Sequence, residues 1–252
     1  MFGLDSGSLA IAAAVALLAG TVKGAVGFAM PMILISGLAS FLPADQALAA
    51  LVLPTLATNL AQALRQGLAA AWASTREYRL LLVSLCLTIA LSAQLVPLMP
   101  RALMLLLLGG MVIAFSLSQL AGWQLRFRAG SRARAELAVG LVGGFFGGIS
   151  GVWGPPTIAL LISLGVGKRE NVRVQGVVYL VGSLMLFFAH LGSGVVNADT
   201  LPLSAALVVP SMAGLFAGFW VHDRLDAGRF RRWTLIVLAL TGLNLIRRAL
   251  TV

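Results

Sequence analysis

Lys23 is the one basic residue set well inside an apolar stretch of this sequence, within GTVKGAVGFAMPMILI, residues 20–35. A charge inside a membrane is costly and marks a functional site by default. An ammonium group there offers the chemistry of holding an anion. The alternatives are a lysine that snorkels to the surface or one paired to a carbonyl. Around it stand Gly24, Gly27 and Pro31, residue types that interrupt helices. Glycine permits a turn and close backbone approach, and proline suits the first turn of a new helix. A helix starting in mid-membrane presents unpaired N–H groups and a positive dipole end, which together suit an anion.

The arrangement recurs in GGFFGGISGVWGPPTIALLI, residues 143–162. An offset of 124 maps Gly20 to Gly144, Gly24 to Gly148, Gly27 to Gly151 and Pro31 to Pro155. Four helix-breaking positions in register indicate an internal duplication. Two such helix ends, brought in from opposite sides, would make one pocket. Trp153 and Thr157 flank the second break. The competing reading is packing, because Gly20/Gly24, Gly144/Gly148, Gly147/Gly151 and Gly214/Gly218 all form G-x-x-x-G, which lets membrane helices approach closely. Packing is the expectation for Gly214/Gly218, but by itself it explains neither the prolines nor the register of the repeated segments.

The helix expected after each break is polar on one side. Thr55, Thr58, Asn59 and Gln62 share helical spacing, as do Gln175, Tyr179 and Ser183. The offset of 124 maps Thr55 onto Tyr179 and Asn59 onto Ser183. These side chains would line the pocket and donate hydrogen bonds to substrate oxygens, or would join neighbouring helices. His190 falls near the outer end of its span and is expected at the interface. No Asp or Glu lies deep in any span, and no Ser/His pair, His-Glu-x-x-His or Asp pair appears at membrane depth. No enzyme, cofactor or metal site is therefore expected. Cys86 is the single cysteine, so no disulfide framework exists.

The elements that must position these residues follow from composition. Of 252 residues 60% are hydrophobic and 10% charged, with mean hydropathy +0.98. Soluble domains carry about 25% charged residues, so this chain belongs in lipid. Strand-like alternation is absent, which leaves an all-α polytopic membrane protein. Apolar runs over about 46–64, 80–97, 102–122, 171–190, 201–221 and 233–250 suit spans of roughly 20 residues. Residues 8–42 are too long for one span and are expected as a hairpin with arms 8–20 and 28–42, turning at Lys23–Gly27. Residues 137–166 repeat that plan, turning near Gly148–Gly154. The first repeat would cover 1–123, an arginine-rich linker 124–135, and the second repeat 136–252. No basic residue precedes the first apolar run, unlike a signal peptide, so the N-terminus is expected to be retained.

The net charge of +10 comes from residues in short loops rather than from a patch, which speaks against nucleic acid. With hairpins and an outside N-terminus, the loops at Arg65–Arg79, Arg126–Arg134, Lys168–Arg173 and Arg224–Arg232 all fall on the cytoplasmic side. They hold fourteen basic residues, against three on the other side. If each broken segment crossed once, the split would be nine to eight, with no bias. Cytoplasmic loops are rich in Lys and Arg, which favours hairpins. Three crossings then separate corresponding points, so the halves are inverted and the two glycine-rich turns would meet near the bilayer centre. That is a build of secondary transporters.

The paired segments, covering nearly the whole chain with the helices that follow them, resemble those of the TauE/SafE family of sulfite exporters. The resemblance implies a multi-pass protein of the bacterial inner membrane that moves sulfite, an organosulfonate or a related small anion. It implies Gly24, Gly27, Pro31, Gly148, Gly151 and Pro155 as site residues; Lys23 is added on charge alone. Export by alternating access is the leading expectation, with an anion channel or a non-transporting membrane scaffold as rivals. The partners expected are the anion and membrane lipid. A homodimer is compatible with the chain, although apolar faces do not imply one in lipid.

Overall fold

The computed structural model describes residues 5–122, 131–222 and 227–251. They form eleven helices: α1 Ser6–Val26, α2 Met30–Leu38, α3 Ala44–Leu64, α4 Leu68–Glu77, α5 Arg79–Ala93, α6 Arg101–Leu120, α7 Arg132–Ser150, α8 Gly154–Ser163, α9 Lys168–Gly192, α10 Leu201–His222 and α11 Ala227–Ala249, with a short 3₁₀ turn at Val96–Leu98. Six of the helical segments are long and apolar enough to cross a membrane: Ser6–Val26, Ala44–Leu64, Arg79–Leu98, Arg101–Leu120, Glu170–Gly192 and Leu201–Trp220. Helix α1 thus exceeds the expected arm 8–20, and the expected span 233–250 is not among the six. The fold is that of a multi-pass membrane protein. Most of the expected linker, 124–130, lies outside the described residues, as does 224–226 of the loop Arg224–Arg232.

The two broken segments use one backbone device. Helix α1 ends on Gly27 and α7 ends on Gly151, both left-handed, with φ of 85° and 71°. The Gly27 amide donates to the Lys23 carbonyl and the Gly151 amide to the Gly147 carbonyl, each at 2.7 Å. Only a residue without Cβ takes this cap cheaply. The interruptions are therefore Gly27–Ala29 and Gly151–Trp153 rather than the longer turns expected at Lys23–Gly27 and Gly148–Gly154. Helix α1 continues through Lys23 and Gly24 to Val26. Beyond the break, α2 folds back along α1, placing Gly37 against Val15.

Glycines set the seams between helices. A Cβ on Gly20 would stand 2.2 Å from the Ser211 carbonyl oxygen, and one on Gly24 would stand 2.3 Å from that of Leu215. From the other side, Gly214 meets the Leu17 carbonyl and Gly218 that of Thr21. Helices α1 and α10 thus run parallel in backbone contact. Helices α7 and α5 repeat this, with Gly140 against Ser84, Gly144 against Leu85 and Gly148 against Ser92. The offset of 124 turns the first pairing into the second. It also relates α3 to α9 and α6 to α11, and these counterparts pack antiparallel: Asn59 meets Tyr179 while Ala63 meets Gly176, and Gly109 meets Ile246 while Ile113 meets Gly242.

Pro54 lies inside α3 and cannot donate to the Ala50 carbonyl four residues back. Ser204 of α10 repairs the gap. Its hydroxyl donates to that carbonyl at 3.1 Å and accepts from the Leu53 amide at 3.0 Å. The basic loops gather at one end of the bundle. Arg173 donates to Ser74 at 2.9 Å, Arg132 pairs with Glu77 at 3.0 Å, and Arg65 lies 4.5 Å from the Phe219 ring centre. The loop expected at Arg65–Arg79 contains α4, whose Leu68 and Trp72 are exposed and whose Arg76 covers the Trp72 ring.

Candidate anion site

Lys23 occupies the last turn of α1 and is 2% exposed. Its ammonium donates to Thr58 Oγ1 at 2.9 Å and to Asn59 Oδ1, both on α3. Thr58 in turn donates to the Pro54 carbonyl, 2.8 Å away. The Asn59 amide donates to the Tyr179 carbonyl of α9 at 2.9 Å, tying α3 to α9 at the same level. Among the described residues Lys23 forms no ion pair, and the third of its N–H donors has no partner. The snorkelling alternative is thereby overturned, since the side chain is held inside the bundle by α3.

Both breaks contribute to the cavity at Lys23. Phe28, Ala29, Pro31 and Met32 line it from the first, and Gly151 through Pro155 from the second. Asn59 and Tyr179 complete the wall. The start of α8 touches Tyr179, because a Cβ on Gly154 would stand 2.9 Å from its hydroxyl. The two breaks do not meet at one level. Gly27 accepts from Gln62, whereas Gly151 faces Leu51; eleven residues along α3 separate these by about 16 Å. Each broken arm passes the other, and the cavity lies between them.

Of the site residues expected from sequence, the cavity gathers Lys23, Pro31, Asn59, Gly151, Trp153, Pro155 and Tyr179. Gly24 and Gly148 instead form the helix seams. Gly27 is the cap, its carbonyl held by Gln62 at 3.3 Å. Thr157 donates to the Trp153 carbonyl at 2.9 Å, and Ser183 to that of Leu180 at 2.9 Å. Gln175 bonds Asn171 and accepts from the Tyr179 hydroxyl at 3.4 Å, so it holds a lining residue without lining the cavity. Among the described residues the Thr55 hydroxyl is buried without a partner. His190 is not interfacial: it is fully buried and bonds the Gly148 carbonyl at 2.9 Å. Phe28, Ala29, Met32, Val152 and Gly154 were not expected. They are apolar residues in an apolar stretch, and only their place within the two breaks could have marked them.

The two halves differ where it matters for chemistry. The offset of 124 pairs Lys23 with Gly147, Thr58 with Gly182 and Ala29 with Trp153. Space taken by the lysine in one half is taken in the other by the Trp153 indole, which packs against both Gly147 and Gly182. The cavity thus has one cationic wall and one aromatic wall. Hydrogen-bond donors are few. Pro155 and Pro156 remove two of the first three amide N–H groups of α8, leaving that of Gly154. The enclosed space is about 20 Å³, room for roughly one water, so an oxyanion enters only if the walls part.

No curated protein and no solved structure matches the chain. The model of the sulfite exporter TauE/SafE family matches residues 12–245, which takes in both broken segments and every helix from most of α1 to most of α11. The chain belongs to the TauE/SafE sulfite exporter family.

Proposed function

We propose that this protein exports a small anion across the bacterial inner membrane, binding it at Lys23 between the two broken segments. The observation that carries this is a buried ammonium held by two neutral oxygens, with no ion-paired carboxylate among the described residues, at a cavity built from both repeats. An uncompensated charge in such a place costs several kcal/mol, and an anionic substrate supplies the missing partner. Family membership points to the same class of cargo. The halves are inverted and alternate access to the site. Supporting this are the swapped pairings α1/α10 and α7/α5 and the antiparallel packing of α3 on α9 and of α6 on α11. The arginine-rich end faces the cytoplasm, with the N-terminus outside. An inside-negative potential then favours anion exit by about 2.3 kcal/mol per charge per 100 mV.

Thermal unfolding of the purified protein against sulfite, thiosulfate, sulfoacetate, taurine, sulfate, acetate and chloride tests the reading. A ligand bound only by the folded state raises the apparent Tm. A saturable rise for a sulfur anion, lost in Lys23→Ala, is expected. No rise with any anion in folded protein would favour a scaffold.

A further inference from the structure

Beside the cavity at Lys23 lies a cleft of about 430 Å³ between α6, α7 and α8. Its lining includes Met111, Phe115, Val139, Val142 and Phe146, with Ser118 and Gln119 toward the end of α6 that leads to the arginine-rich loops. Pro155 lines both spaces. One aromatic pair separates them: Phe28 belongs to the cavity, Phe115 to the cleft, and their rings meet edge to face with centres 5.8 Å apart. The pair thus links the lining of the small charged cavity to that of the large apolar cleft.

Resting on the transport reading above, we propose that the substrate is a monoanion carrying an apolar tail, with its head at Lys23 and its tail past Phe28 and Phe115 into this cleft. The donor supply favours that cargo over a compact, doubly charged oxyanion. Lys23 offers one free N–H, the Asn59 amide has given one of its two N–H groups to the Tyr179 carbonyl, and prolines replace two amides of α8. An oxyanion fully stripped of water needs more donors than these. Apart from the Tyr179 hydroxyl and the Trp153 indole N–H, the cavity's remaining side chains, from Phe28, Pro31 and Met32 to Val152 and Pro155, are apolar. A hydrocarbon tail gains from such a wall and from the cleft beyond it.

Linear alkanesulfonates from one to six carbons, with the matching alcohols as uncharged controls, test this by calorimetric titration of the protein in nanodiscs. Each methylene buried adds about 0.8 kcal/mol, or roughly fourfold in affinity. The expected result is a Kd falling with chain length, flattened in Ala114→Trp, which fills the cleft, and preserved or steepened in Phe115→Ala, which opens the passage. Equal affinity for all chain lengths, with methanesulfonate still bound, would overturn the tailed substrate and leave the transport reading standing. Alcohols matching the sulfonates, or a gain that survives in Lys23→Met, would mean a cleft for lipid chains and also overturn it. No binding at any length would overturn the tailed substrate, and the transport reading falls with it only where sulfite, thiosulfate, sulfoacetate, taurine, sulfate, acetate and chloride also leave the Tm unmoved.

Discussion

Replacing Lys23 by methionine separates binding from stability, because the two should move in opposite directions. Methionine is unbranched and one atom shorter than lysine, so it fills most of the same space and removes the charge. Lys23 is 2% exposed, and among the described residues its ammonium is satisfied by Thr58 and Asn59 alone. Removing it relieves a desolvation penalty of several kcal/mol. The loss is a donor to each partner: Thr58 keeps its bond to the Pro54 carbonyl, whereas Asn59 Oδ1 is left unpaired at a cost of about 1–3 kcal/mol. The folded protein should therefore be as stable or more so, with Tm rising by about 2–4 °C for each kcal/mol gained. Anion binding should collapse. A charge pair at 4 Å with an effective dielectric constant near 20 is worth about 4 kcal/mol, about a thousandfold in Kd. Thermal unfolding with and without methanesulfonate reads both quantities. A variant that melts lower yet keeps the anion-induced shift would refute the reasoning and make Lys23 a structural clasp.

Substitutions at four further sites separate seam, cap, helix repair and strain. Gly24→Ala sets a Cβ 2.3 Å from the Leu215 carbonyl oxygen and should cost ~3 kcal/mol by prising α1 from α10. Gly27→Ala meets nothing within 4 Å and pays only for its left-handed backbone, ~1 kcal/mol; equal losses for the two in denaturation would contradict the assignment. Ser204→Ala strands the Ala50 carbonyl opposite Pro54 and should lower stability by ~2 kcal/mol, whereas Ser204→Thr should recover part of it. Ala29 is the one non-glycine residue with positive φ among those described, at 76°. Ala29→Gly should raise stability by ~1 kcal/mol, and a loss would mean that its methyl group supports the cavity wall.

The paired breaks were legible because glycine and proline act through the backbone, and their register survives in the sequence as Gly27/Gly151 and Pro31/Pro155. The extent of each break was not. Gly20 and Gly24 weaken an isolated helix, which suggested an early turn, but they stay helical because α10 fills the space their missing Cβ leaves. That neighbour is nearly 200 residues away in sequence. Lys23 was identified from its charge alone, while its clasp by Thr58 and Asn59 needed the register of α1 on α3. His190 looked interfacial from its place near a helix end; the Gly148 carbonyl, exposed where α7 stops, holds it inside. Helix α4 was legible but unread, since Leu68 and Trp72 at i and i+4 with Arg76 beyond mark a short amphipathic turn.

The most direct test is anion flux into liposomes that contain the purified protein, measured with labelled methanesulfonate at a clamped membrane potential. Saturable flux, accelerated by the same anion on the opposite side and abolished in a folded Lys23→Met variant, is the predicted result. Flux that rises linearly with concentration would mean a channel. Flux equal in wild type and Lys23→Met would contradict the claim that the buried lysine holds the cargo.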